Sequence, residues 1–153
     1  MLTAKPQSWL NWDFTLARNG EFLANIDLSI WRERGGFTVA DTSYRTYREG
    51  LFSGAFILEA NGAVVARAYK PSAWTRRLII EFDDVQLELK PLSALRRGFQ
   101  LKSGARTIGT VVPRGFLSRG IDIDLPDDLP LPLRAFVVWL VVMLWRRDAN
   151  AGG

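Results

Sequence analysis

At 153 residues, with 48% hydrophobic and 24% charged residues, the chain has the size and composition of one globular domain with a sizeable core. It contains neither Cys nor His, which excludes disulfides, thiol nucleophiles, histidine relays and the usual ligand sets for zinc. The formal net charge of +4 is carried mostly by Arg, with Lys only at positions 5, 70, 90 and 102, so the surface is mildly basic and anionic partners are permitted without being required.

The first eight residues lack the charged start and apolar core of a secretory signal peptide, which points to the cytoplasm. From Phe14 onward one pattern occurs three times: Phe-x-Leu, a short turn, then a small residue. The copies run from Phe14 through Asn19-Gly20 to Ala24, from Phe56 through Asn61-Gly62 to Ala66, and, more loosely, from Phe99 through Ser103-Gly104 to Gly109. Each reads as a β-hairpin, since Asn-Gly supplies the positive φ angles of a two-residue turn and Ser-Gly suits a related class.

Flanking residues extend the hairpins into strands. Phe22, Ala24, Ile26, Leu28 and Ile30 alternate with mostly polar residues, so one face is buried. Further runs follow at Phe37 to Val39, Leu78 to Phe82, Val85 to Leu89 and Leu117 to Leu125, with breaks expected at Gly35-Gly36, Asp83-Asp84, Lys90-Pro91 and Pro113 to Gly115. Three units of about four strands predict a sheet of roughly 12 strands, too many to stay open without curling. The expected fold is mainly β: a single domain over 1–153 whose strands, within 1–125, form a closed antiparallel barrel of three repeated units.

The segment 126–132 reads as an acidic, Pro-containing linker to a helix over 133–147. From Leu133 to Trp145 every helical face is apolar except at Arg134, while Asp127-Asp128 upstream and Arg146-Arg147 downstream complement the dipole of a helix. Such a helix belongs either in a membrane or in the centre of a protein. Its uncharged stretch, Ala135 to Trp145, falls short of the about 20 residues of a span, and a helix about 10 to 12 Å across would fill a barrel of intermediate size. The alternative is a small membrane-anchored structural protein whose C-terminal transmembrane helix inserts as far back as Leu129, with Arg134 snorkelling. A pleckstrin-homology-like barrel fits less well, because its terminal helix has a polar face.

The repeated hairpins at Phe14, Phe56 and Phe99, the stretch Asp122-Ile-Asp124-Leu-Pro-Asp127-Asp128 and the apolar Phe136 to Trp145 segment together resemble the tubby C-terminal-like superfamily, which includes phospholipid scramblases and LURP-one-related proteins. The resemblance spans nearly the whole chain and is architectural. It implies a 12-stranded barrel around a central helix, in a group whose better-known members bind phosphoinositides or act at membranes.

Candidate sites follow from charge. Arg76, Arg77, Arg96, Arg97, Lys102 and Arg106 form a candidate ligand-binding group for a phosphate headgroup if they gather at one end of the sheet, with gatekeeping charges on edges and turns as the structural reading. Asp122, Asp124, Asp127 and Asp128 occupy the place of a proposed scramblase calcium segment, but lack the Gly and terminal Glu of an EF-hand loop and alternate as a solvated strand face would. No metal or other cofactor is implied. Arg134 is expected to cap the barrel mouth through Asp127 or Asp128. Six Trp, at 9, 12, 31, 74, 139 and 145, are expected in core or rim packing and not in base stacking, so no nucleic-acid partner is expected. No phosphate loop, dinucleotide fingerprint or nucleophile elbow is present. The expected function is therefore non-enzymatic: a cytoplasmic barrel, open to peripheral membrane contact, that binds an anionic phospholipid, another ligand or a protein partner.

Overall fold

The computed structural model describes residues 2–6, 14–18, 21–29, 34–50, 54–93, 97–114 and 120–151. The described strands are β1 (Leu2–Pro6), β2 (Phe14–Arg18), β3 (Glu21–Ser29), β4 (Arg34–Val39), β5 (Thr42–Arg48), β6 (Phe56–Ala60), β7 (Ala63–Tyr69), β8 (Leu78–Phe82), β9 (Val85–Pro91), β10 (Phe99–Ser103), β11 (Arg106–Pro113) and β12 (Ile121–Asp124). One helix, α1 (Leu131–Ala151), follows. Every pairing is antiparallel, and each strand bonds its chain neighbours.

The three repeats share one register. Leu16 pairs with Ala24, Leu58 with Ala66 and Leu101 with Gly109, and the register shifts by one residue immediately after each of these leucines. Leu23, Val65 and Ile108 are the extra residues of three equivalent β-bulges, which bend a hairpin and increase its twist. The motif thus marks a repeated bend, with the leucine fully buried in all three copies. The small residue opposite leaves room on the inner face; at Gly109 a Cβ would run into the Asp124 carbonyl and Leu125. In the second hairpin Asn61 and Gly62 have φ of 53° and 78°, the positive pair of a type I′ turn.

The expectation that three consecutive four-stranded units close the sheet is overturned. β2 to β12 run as one eleven-stranded antiparallel meander whose edges, β2 and β12, are not bonded to each other. The gap is filled by β1, which lay outside the expected repeats: Leu2 pairs with both Arg18 and Ile123, and Ala4 with both Leu16 and Ile121. The closed order of pairings is complete only with this N-terminal strand. Its alternation, with Leu2 and Ala4 buried and Lys5 exposed, is too short to register as a periodic signal.

Two further expectations are corrected. Gly35-Gly36 does not break the chain but lies within β4, paired with Asp27 and Leu28 on one side and with Arg45 and Thr46 on the other. The polar run Thr42–Arg48 forms β5, turning back from β4 through Ala40 and Asp41 with φ of 48° and 64°. The helix is longer than 133–147, because Pro132 is tolerated in its first turn and nothing after Arg147 stops it before Ala151.

Because neighbouring strands alternate in direction, the two ends of the barrel differ. The turns at 40–41, 61–62, 83–84 and 104–105 crowd one end, and the described parts of the longer connections, at 49–50, 54–55, 70–77, 92–93, 97–98, 114 and 120, lie at the other. α1 starts at the tight-turn end, where β12 finishes, and emerges among the long connections. All residues from Leu133 to Arg146 are buried, most of them against inward-facing Leu16, Phe56, Leu58, Leu78, Ile80, Leu89, Phe99, Leu101, Val111 and Ile123. Among the described residues no helix is long and apolar enough to cross a membrane.

Trp139 stacks on Phe136 at 5.9 Å and meets Phe56 edge-on at 5.6 Å. Trp139→Ala is expected to destabilise the fold by about 3–5 kcal/mol through lost burial and a residual cavity. Val64→Ala, at an exposed position, is expected to change stability by no more than about 0.5 kcal/mol. Urea denaturation of the two variants checks both.

Candidate functional site

The six candidate cations do not form one group. Arg76 and Arg77 lie on the β7–β8 connection and Arg97 on the β9–β10 connection, at the long-connection end. Lys102 and Arg106 flank the tight turn at Gly104, at the opposite end. Arg96 lies outside the described residues. The three at the long-connection end are engaged in holding the barrel together. Arg76 donates to Asp148 of α1 at 2.6 Å and lies 5.9 Å from the Phe99 ring. Arg77 pairs with Glu88 at 3.6 Å, and Arg97 covers the Trp145 ring at 5.4 Å while its carbonyl accepts a 2.6 Å hydrogen bond from the indole.

The acidic stretch is likewise spoken for in part. Asp122 accepts from Arg114 at 2.9 Å, and Asp127 accepts from Arg18 at 3.1 Å and from Arg134 at 3.3 Å. Arg134 is buried, as expected of a residue capping the mouth at the tight-turn end, and burial followed by repulsion from Arg18 lowers its pKa against the opposing pull of Asp127. Among the described residues no group of three or more acidic side chains is placed to share a metal ion.

A different set of residues builds a recess. It has a volume of about 560 Å³ and is bounded by the β5–β6 connection, the β7–β8 connection and the C-terminal end of α1. Four cationic side chains line it, Arg48, Arg67, Lys70 and Arg147, against one carboxylate, Glu49. Each is placed by a separate element. Arg48 ends the inward-facing row Tyr44, Thr46, Arg48 of β5, and its guanidinium lies 5.8 Å from the Phe56 ring, with that of Arg147 at 4.9 Å from the same ring. Arg67 projects outward from β7 and pairs with Glu49 at 3.0 Å. Lys70 follows the end of β7, and Ser72 and Ala73 complete the rim beyond it. The β5–β6 connection is closed at its base by the Glu49 amide donating to the Ala55 carbonyl at 2.8 Å. Gly54 borders the recess in a conformation, φ 149°, where a Cβ would collide with the backbone of Glu49.

The electrostatics of the recess are those of crowded positive charge. Burial lowers the pKa of the Lys70 ammonium from its ordinary 10.5, and Arg147 and Arg48 push it further down, with Asp148 opposing. A multivalent anion entering here would meet several donors at once and relieve that repulsion. Sequence reading passed over these residues because they come from positions 48, 67, 70 and 147. The only local signal was the Arg146-Arg147 pair that ends the apolar helix.

Trp74, expected in packing, is 97% exposed, whereas Trp139 and Trp145 are buried as expected. Trp9, Trp12 and Trp31 lie outside the described residues. Comparison of the chain with protein-family models, with curated proteins and with solved structures finds no match in any of the three.

The lowered pKa of Lys70 has a defined consequence for stability. The unfolded chain binds a proton at this site more readily than the folded one, so the charge costs stability at neutral pH; the cost fades as pH rises through the folded pKa and is gone above 10.5. Lys70→Gln is therefore expected to raise the thermal midpoint slightly at neutral pH and low salt, with the gain shrinking in high salt and at alkaline pH; melting curves across pH and salt check this.

Proposed function

We propose that the protein is a non-enzymatic binding module that holds a phosphate-bearing anion in the recess at its long-connection end. The observation that carries the reading is the convergence of Arg48, Arg67, Lys70 and Arg147 on one concavity, with the Lys70 charge already disfavoured by burial and by its cationic neighbours. The volume, about 560 Å³, falls in the range of small-molecule sites and suits a headgroup or small polyphosphate better than a flat macromolecular surface. Three of the elements involved are loops or helix ends carried on a closed scaffold, the usual place for binding residues. The resemblance to the tubby-like superfamily, some of whose members bind phosphoinositides or act at membranes, points in the same direction, and the N-terminal sequence favours the cytoplasm as its location. Arg76 and Arg77 serve this site by fixing the β7–β8 connection beside it.

Calorimetric titration with inorganic tripolyphosphate at low salt tests the reading. Binding is expected, and Lys70→Gln is expected to weaken it about tenfold or more, the loss of one charge-assisted contact. Lys102→Gln, at the opposite end of the barrel, is expected to leave the affinity unchanged. Absence of binding by the wild-type protein, or equal effects of the two substitutions, removes the proposal.

A further inference from the structure

Trp74 occupies the tip of the connection Lys70-Pro-Ser-Ala-Trp74-Thr-Arg76-Arg77, and Pro71, Ser72 and Ala73 beside it are exposed as well. A single exposed apolar residue is ordinary on a protein surface. Here, however, a large aromatic ring, 97% exposed, adjoins Ser72 and Ala73 on the rim of the cationic recess. The connection that presents it is anchored. The Thr75 amide donates to the Ser72 carbonyl at 3.4 Å, the Arg77 amide donates to the Thr75 hydroxyl at 3.2 Å, and Arg76 is tied to Asp148 of α1 at 2.6 Å. Leu92, 39% exposed, stands at the same end of the barrel on the β9–β10 connection.

We infer that this end of the barrel docks on an anionic membrane surface, with Trp74 seated at headgroup depth while the recess takes a lipid phosphate. The occupant follows from charge and polarity together: an aromatic ring with a polar edge flanked by Lys70 and Arg76-Arg77 matches the boundary between phosphate and acyl chain, where Trp and basic residues concentrate. A free phosphate would engage the recess and leave Trp74 in water. The inference rests on the recess reading, and the helix stays inside the barrel throughout.

Co-sedimentation of the full-length protein with vesicles of phosphatidylcholine alone, and of equal parts phosphatidylcholine and phosphatidylserine, tests it beside the tripolyphosphate titration. The wild type is expected to partition onto the mixed vesicles, and its fluorescence to be quenched by bromine-labelled acyl chains. Trp74→Ser is expected to lower partition about tenfold, the loss of one large apolar side chain from the interface, to reduce the quenching, and to keep tripolyphosphate affinity intact. Lys70→Gln is expected to weaken both. Tripolyphosphate binding without vesicle binding, or vesicle binding and quenching indifferent to Trp74→Ser, overturns the docking inference and leaves the recess reading standing. Trp74-dependent vesicle binding with no affinity for tripolyphosphate overturns the recess reading and with it the inference as stated.

Discussion

A helix that is apolar on every side needs a nonpolar partner on every side, and α1 meets that need inside one sheet. From Leu133 to Arg146 its side chains are buried, so the sheet must curve until its inner face surrounds the helix. The three bulged hairpins supply the bends, at the same point in each repeat. The leucine at each bend faces inward, with a residue no larger than Ala opposite it, and this leaves space on the inner face. Burial this complete has local costs: among the described residues, neither the Trp139 indole N–H nor the Thr46 hydroxyl has a hydrogen-bond partner.

The helix also builds the site that its enclosure makes possible. It enters at the end of tight turns, where Asp127 holds Arg18 and Arg134, and leaves among the long connections. There Trp145 binds the Arg97 carbonyl, Asp148 binds Arg76, and Arg147 enters the lining of the cationic recess. The same element that fills the barrel thus ties down the β7–β8 connection that borders the recess. A recess made of loops tied to a buried helix combines exposure with a fixed geometry, which a ligand site needs and a free loop lacks.

The parts of the fold legible in the sequence were those written locally. Phe-x-Leu, the Asn-Gly turns and the small residue after them specify a hairpin within a dozen residues, and the run from Leu133 to Trp145 specifies a helix apolar on nearly every face within one segment. β5 was hidden because its outward residues Ser43 and Arg45 and its inward Thr42 and Thr46 are all polar, so alternation carries no hydrophobic signal. β4 was shortened because paired glycines read as a turn, though both sides of Gly35 and Gly36 are bonded. The grouping of Arg76, Arg77, Lys102 and Arg106 failed for a geometric reason: strands β8 to β10 carry the chain to and fro across the barrel between them, so order along the chain does not tell which end a charge reaches.

The amino-acid sequence by itself determined three hairpins, an apolar helix with charged ends and a chain without cysteine or histidine chemistry, because each is a property of neighbouring residues. Tertiary structure alone decided that Leu2–Pro6 bonds both edges of an eleven-stranded meander, and that positions 48, 67, 70 and 147 share one recess. Both depend on contacts between residues far apart in the chain, and such contacts exist only once the sheet has curved around the helix.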